Sequence, residues 1–338
     1  MDSIFAAAIV VTSIIITYII MTSIDITSTK KNKYDIVVFH YPCNDGLASA
    51  WIVYYFYGNI ELYPFTHGDT IDIKRFKGKR VLFCDICPKE EILNEIEKVA
   101  TKITILDHHA SSEKLIKSKS YGHYDKERSG AGMTWDFFFP GTDMPLFIKM
   151  IQDGDLWKWT VKDSKNFISG FDLEYNKLDR LDFEKIFKLF NKLLIDDSIM
   201  DDYIRSGLDF NEKKTKRLQK IAREEGTRST YNEQKMWIRE TEYCDASELG
   251  NMVTSGSDVD VAVLYQVCEV KDKVTGETII DEVTGKPEIE YHVSLRSCGN
   301  INVFAIAKLF GGGGHMNAAG FATKTHPLIL LRDLTNDS

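Results

Sequence analysis

Apolar and polar positions are unevenly distributed along the chain: several apolar, β-branched runs end abruptly in an acid or an imidazole. The run Ile103-Thr104-Ile105-Leu106 stops at Asp107-His108-His109. A continuous apolar run of this length predicts a buried parallel strand. Residues 34–40 form a second such run, ending at His40. Tyr41-Pro42-Cys43-Asn44-Asp45-Gly46 then carries turn chemistry, and an aromatic- and Ala-rich helix is expected from 47 to 57. Gly46 would let the backbone bend tightly there. Residues 79–85 repeat the theme and end at Asp85. Between the Asp85 and Asp107 runs, Ile92, Leu93, Ile96 and Val99 share one face of a helix expected over 88–100, with Pro88 at its start. Strands joined by such a crossover are parallel, so Asp85 and Asp107 should emerge at the same sheet edge. Residues 60–65 give a weaker strand, which Pro64 assigns to an edge. Ligands of open α/β sheets sit at the carboxyl ends of strands, which is where the polar triplet falls.

Helical spacing continues over 129–139 and 145–152. Gly154 predicts a turn, placing Asp153 and Asp155 in a loop. Residues 166–194 read as polar helix. Residues 199–225 read as one long helix bearing Lys213, Lys214, Lys216, Arg217, Lys220 and Arg223. That stripe is either a solvated face or a path for a nucleic-acid backbone. A polar, turn-like stretch at 227–232 precedes strands expected at 236–239, 259–270 and 288–296, with an extended hairpin between the last two. A helix at 303–310 leads into four glycines, Gly311, Gly312, Gly313 and Gly314, followed by His315. A glycine run lets backbone amides approach an anion closely. The Gly-Lys-Ser/Thr of a Walker loop is absent. With Arg296 ending the preceding strand, this region reads as a phosphate holder.

The fold expected is α/β, a parallel-sheet domain followed by a smaller α/β domain. The divisions are an anchor and linker at 1–33, a metal-binding domain at 34–165, a helical connector at 166–230 and a C-terminal domain at 231–338. A length of 338 residues accommodates them. A formal net charge of -8 argues against a protein that coats long nucleic acid. The six cysteines lack the spacing of a secreted disulfide framework. Cys84 and Cys87 read as a strand and a loop residue rather than half a zinc site. Residues 3–24 carry no charge and are long enough for a bilayer-spanning helix. Asp2 in place of a basic flank disfavours a signal peptide. Lys30, Lys31 and Lys33 would then leave the catalytic domain cytoplasmic in a single-pass membrane protein.

The candidate chemistry rests on His40, Asp45, Asp85, Asp107, His108, His109 and Asp153, all at element ends. So many convergent carboxylates repel one another unless cations neutralise them. Imidazole with carboxylate suits Mn, Zn or Fe better than Ca or Mg alone. Two metals roughly 3.5–4 Å apart can share a hydroxide and clamp a phosphoryl group.

These residues resemble the DHH phosphoesterase superfamily, for which Asp107-His108-His109 is the naming motif. His40-Tyr41-Pro42-Cys43-Asn44-Asp45-Gly46-Leu47-Ala48-Ser49-Ala50-Trp51 is similar to a subgroup reading H-x-x-C-x-D-G-x-x-A-A-W, and 151–157 resembles that subgroup's later motif. Residues 311–321 match the G-G-G-G-H-x-x-A-A-G-F of the DHH-associated domain. The resemblance covers most of the chain after Lys33. It implies two divalent cations, Mn first and Zn, Fe or Mg as alternatives, held by His40, Cys43, Asp45, Asp85, His108 and Asp153. Asp85 corresponds to the bridging carboxylate. Asp107 orients His108, His109 faces the substrate, and Asp155 competes with Asp153. Many members carry an acid where Cys43 stands, and a thiolate shifts preference toward Zn or Fe. Arg296, Gly312, Gly313, Gly314 and His315 would hold the phosphate or terminal nucleotide of a short single-stranded oligonucleotide or nucleotide substrate. A homodimer is compatible with this reading. The rival functions are a pyrophosphatase or polyphosphatase on the same metal lobe, and a metal-free binding module.

Overall fold

A computed structural model describes residues 33–330, apart from residues 67, 225, 232, 243, 244, 257 and 273–276. The expected N-terminal membrane anchor is corrected. Among the described residues no helix is long and apolar enough to cross a membrane, and the segment on which the expectation fell lies outside them. The assignment to a single-pass membrane protein with a cytoplasmic catalytic domain is withdrawn.

The chain divides into two compact units. One comprises the described residues up to His108 together with Leu115–Met144; the other comprises His109–Lys114 and the described residues from Pro145 onward.

The first unit is built in the order β1 (Ile36–His40), α1 (Asn44–Tyr57), β2 (Glu61–Phe65), β3 (Arg80–Cys84), α2 (Glu90–Val99), β4 (Lys102–Asp107), a short α3 (Glu113–Ser118), β5 (Gly122–Tyr124) and α4 (Gly130–Phe138). The five strands form one sheet in the order β2-β1-β3-β4-β5, and every neighbouring pair is parallel. β2 takes an edge, as Pro64 requires. Ile36 and Val38 of β1, Phe83 of β3 and Ile105 of β4 share a core with Leu93 and Ile96 of α2. α1 is buried continuously from Asp45 to Val53 and packs Phe56 against Phe138 of α4, ring centroids 4.9 Å apart and tilted at 46°. From β1 the chain winds to β2 on one side and to β3 on the other. That reversal leaves a crevice at the carboxyl ends of β1 and β3.

The second unit begins with four helices, α5 (Leu146–Asp155), α6 (Ser164–Tyr175), α7 (Phe183–Ile195) and α8 (Asp197–Glu224). They lead into β6 (Thr227–Tyr231), β7 (Gln234–Glu240), α9 (Ala246–Gly256), β8 (Val261–Glu269), β9 (Ile289–Ser297), α10 (Val303–Leu309), β10 (Gly313–His315) and β11 (Ala318–Thr323). The six strands form a mixed sheet in the order β10-β11-β9-β8-β7-β6. Val303, Ile306 and Ala307 of α10 cover one face. Leu249 and Val253 of α9, with Leu218 of α8, cover the other.

α8 is no loose connector. A Cβ on Gly207 would lie 1.8 Å from the Asn166 carbonyl oxygen, and one on Gly170 would lie 1.9 Å from that of Tyr203. The backbones of α6 and α8 therefore touch where they cross. Asn211 secures the crossing: its Nδ2 donates to Asn166 Oδ1 at 3.0 Å and its Oδ1 accepts from Ser169 Oγ at 2.8 Å. Half of the basic stripe of α8 is engaged in ion pairs. Lys213 pairs with Asp209. Lys214 reaches Glu248 at 3.3 Å, and Arg217 grips Asp245 with two nitrogens at 2.7 and 2.9 Å. The stripe thus helps dock α8 on α9.

Several elements differ from expectation, among them residues 166–194, which form α6 and α7 rather than one helix, and α3 and β5, which are not expected. α5 continues through Asp155, because Gly154 makes room for Ile168, whose Cδ1 would stand 2.3 Å from a Cβ there. Residues 227–231 form a strand rather than a turn. The glycine run ends in β10, which pairs with β11.

Candidate metal centre

Register sets the site. Phe39 pairs with Cys84, and Cys84 with Leu106, so His40, Asp85 and Asp107 stand level at the carboxyl ends of three adjacent strands. Asp85 is buried and lies between two imidazoles. Its Oδ2 is 3.4 Å from His40 Nδ1 and its Oδ1 is 3.2 Å from His108 Nε2. Asp85 holds a left-handed backbone, φ 61, a conformation uncommon outside glycine. Its N–H nevertheless donates to the Leu106 carbonyl at 2.8 Å. Strained residues of this kind cost about 1–3 kcal/mol each and cluster at functional sites.

Asp45 lies in the first turn of α1 and is buried. Gly46 beside it allows a close approach: a Cβ there would be 2.0 Å from the His40 carbonyl oxygen. Both Asp45 oxygens accept backbone N–H groups, Oδ2 from Gly130 at 2.6 Å and Oδ1 from Ala131 at 3.0 Å. Asp107 is also buried, and its Oδ1 accepts the His108 N–H at 2.8 Å, fixing the turn out of β4. His40, Cys43 and Asp85 offer ligand atoms within 4.8 Å of one another. So do Asp85, Asp107 and His108, and so do Asp45 and His108.

The donor set fits a cation. Two atoms each about 2.1 Å from one ion, at right angles, lie about 3 Å apart. The separations of Asp85 from its two imidazoles are close to that. Imidazole, carboxylate and thiol together are donors for Mn, Zn or Fe. Cys84 and Cys87 join none of the ligand groups among the described residues. Burial pushes the Cys87 thiol up to about 12 and raises Cys84 as well, so both are protonated packing residues.

The second unit holds the remaining candidates. Arg296, Gly313 and Gly314 line an open depression of about 360 Å³ together with Ser294 and Gly320. Arg296 is preset there: its Nη2 donates to Ser247 Oγ at 2.8 Å and its Nη1 to the Leu295 carbonyl at 2.8 Å. Gly250 leaves space for its stem, since a Cβ would lie 2.6 Å from Arg296 Cγ. Gly312 instead serves packing, with the Gly320 carbonyl oxygen 2.1 Å from where its Cβ would be. The rings of His109 and His315 stack at 6.1 Å.

Asp153 is buried and ties down the loop after α5. Its Oδ1 accepts from Thr160 N and Oγ1 at 2.9 and 2.8 Å, and its Oδ2 from Val161 N at 3.1 Å and Ser164 Oγ at 2.6 Å. Four donors match the acceptor capacity of one carboxylate. Asp155 is exposed at the end of the same helix. Burial pushes Asp153 up, but the hydrogen bonds from Ser164, Thr160 and Val161 outweigh it and leave its pKa lowered. The resulting stabilisation is fully present above the unfolded carboxylate range, near pH 4, and is lost as pH falls through the lower folded value. Asp153→Asn should therefore cost about 1–3 kcal/mol at neutral pH by leaving donors unmatched and should flatten the acid limb of stability. Urea unfolding from pH 3 to 7 checks both; an unchanged acid limb would contradict the assignment.

Residue-by-residue reading did not single out Gly130, Ala131, Ser247 or Gly250. The signal for the first two was Ser129, a helix-starting residue whose Oγ accepts from Gly132 N at 3.2 Å.

Carboxylates crowded at a strand crevice are stable with cations among them, and cations so held activate phosphoesters toward water. A site of this kind suits the chemistry of a metal-dependent phosphoester hydrolase. Residues 243–335 of the chain match the DHHA1 domain. It is 29% identical over 317 residues to "Uncharacterized protein R106" of Acanthamoeba polyphaga mimivirus, covering 86% of this chain and 68% of that one. It is 25% identical over 245 residues to oligoribonuclease NrnB of Bacillus subtilis, covering 68% of this chain and 55% of NrnB. Among solved structures, a pGpG-specific phosphodiesterase, PggH of Vibrio cholerae, aligns with TM-score 0.48 and 13% identity over 90% of this chain and all of that one.

Proposed function

We propose that the chain is a phosphodiesterase acting on short oligonucleotides or small nucleotide phosphoesters, with Asp85 as the carboxylate shared by two divalent cations. The observation that carries this reading is Asp85 between His40 and His108, with one oxygen toward each ring. His40, Cys43 and Asp45 would hold one ion with Asp85; His108 would hold the other. Mn is the first choice, with Zn or Fe favoured by Cys43. Bound cations would supply Lewis acidity to the phosphoryl group and acidify the attacking water. Asp107, which accepts the His108 backbone N–H, would help to hold His108 in place through the turn out of β4. Arg296 and the backbone amides of Gly313 and Gly314 would grip a phosphate, a role suited to a guanidinium fork. His109 and His315 would meet the substrate as a stacked pair.

A nucleotide substrate rather than pyrophosphate or polyphosphate is supported by Trp157. This residue is exposed, holds a left-handed φ of 53, and meets Trp159 edge-to-face at 5.0 Å. A bulky residue in that conformation is an outlier needing support from its surroundings. The Asp153 hydrogen bonds supply that support. An aromatic face fixed in this way suits a nucleobase, and stacking contributes about 1–3 kcal/mol per base. The relative's name, oligoribonuclease, points the same way.

The test is a substrate panel with Mn²⁺: dinucleotides, longer oligonucleotides, a nucleoside bisphosphate, cyclic dinucleotides, pyrophosphate and polyphosphate. Dinucleotides should be turned over best. Trp157→Ala should raise KM for them about tenfold and leave any pyrophosphate hydrolysis unchanged. Faster pyrophosphate or polyphosphate turnover would overturn the substrate assignment in favour of a phosphoanhydride hydrolase. Purified protein that takes up no divalent cation would point to a binding module instead.

A further inference from the structure

Gly130 opens α4 and stands against two of the predicted metal-binding acids. Its N–H donates to Asp45 Oδ2 and the next N–H, of Ala131, to Asp45 Oδ1. A Cβ on residue 130 would lie 2.3 Å from Asp85 Cβ, 2.8 Å from Asp85 Cα and 2.9 Å from Asp45 Oδ2. Only a residue without a side chain lets the helix end approach both acids this closely. The helix holds its start firmly. Ser129 caps it, and Thr134 Oγ1 donates to the Gly130 carbonyl at 2.7 Å. The N-terminus of a helix carries the equivalent of about half a positive charge. Here that end is aimed at a buried carboxylate in an acidic cluster.

We infer that Gly130 is a positioning residue. Through it the N-terminus of α4 sets the spacing of Asp45 and Asp85 and offsets part of their mutual repulsion before any cation arrives. The helix holds Asp45 from one side, and the left-handed backbone of Asp85 brings the second carboxylate against the same glycine. Sites organised in advance lose less on binding than sites that must be ordered. The inference rests on the metal-centre reading for the identity of the occupant, but the juxtaposition itself does not.

Two measurements on the full chain test it. The first is urea unfolding in metal-free buffer of four proteins: wild type, Gly130→Ala, Asp85→Gly and the double variant. Gly130→Ala should lower the midpoint, and in the Asp85→Gly background the same change should lower it by less than half as much, because the Asp85 Cβ it meets is gone. Equal losses in both backgrounds would overturn the positioning role. If Gly130→Ala alone fails to fold, a cooperative transition in the double variant supports the role, and a double variant that is equally unfolded overturns it. The second measurement is Mn²⁺ binding by calorimetry, where Gly130→Ala should weaken affinity at least tenfold. Unchanged affinity would overturn the inference. Wild-type protein that binds no divalent cation would bring down the metal-centre reading and this role with it. That failure is distinguishable from additivity in urea, which removes only the role of Gly130.

Discussion

Asp85→Asn should abolish hydrolysis while leaving the fold in place. The substitution keeps shape and volume and removes the negative charge that two cations would share. Loss of charge stabilisation at a reacting phosphoryl group is expected to lower kcat/KM by about 10³-fold or more, roughly 4 kcal/mol in the barrier. Asparagine is the informative replacement because of the left-handed φ at this position. Asn tolerates that region as Asp does, whereas most other side chains with a Cβ are strained there. Asp85→Ala would confound lost chemistry with backbone strain. Removing one charge from a crowded acidic cluster should also relieve repulsion in the metal-free protein. Its unfolding midpoint is therefore expected to stay close to wild type. Steady-state kinetics with added Mn²⁺ beside urea unfolding would check both halves, and a variant retaining a tenth of wild-type turnover would sink the shared-carboxylate role.

Gly207→Ala should be the most damaging single methyl addition in the second unit. Two effects oppose each other. Replacing glycine by alanine in a helix interior is favourable by about 1 kcal/mol in propensity. Against that, the new Cβ would stand 1.8 Å from the Asn166 carbonyl oxygen and 2.7 Å from the Gly170 nitrogen. Those are backbone atoms of a packed helix, so they cannot swing aside as a side chain can. Overpacking of this severity is expected at about 3 kcal/mol or more, and the clash wins by about 2 kcal/mol. Gly170→Ala should behave alike. Since both residues meet at one crossing, the double variant should lose less than the two singles combined. Urea midpoints of the three variants give the answer; a midpoint at or above wild type for Gly207→Ala would show that the helices are not in backbone contact.

Much of the first unit was legible because buried parallel strands are apolar on both faces. The runs ending at His40, Asp85 and Asp107 became β1, β3 and β4 with little change of boundary. Pro64 correctly marked an edge. Gly154 misled because a glycine signals either a turn or a close approach, and only the position of Ile168 decides between them. Residues 227–231 are polar since β6 lies at the sheet edge, where side chains meet solvent on more than one side. The clamp on Asp45 could not be foreseen, because it joins residues 85 and 86 positions apart through backbone groups that any sequence possesses. Asp153 was picked out as an acid at an element end. What pattern alone could not give is that four donors of its own loop surround it.

The path of the chain has a practical consequence. His109–Lys114 belongs to the second unit, yet Leu115–Met144 returns to the first. No single cut separates the two: a fragment starting at Pro145 lacks six residues of its own unit, and one ending at His108 lacks α4 and with it the donors to Asp45. A fragment ending at Met144 keeps the whole described first unit and carries residues 109–114 with it, whereas the second unit expressed alone would need those six residues rejoined to it.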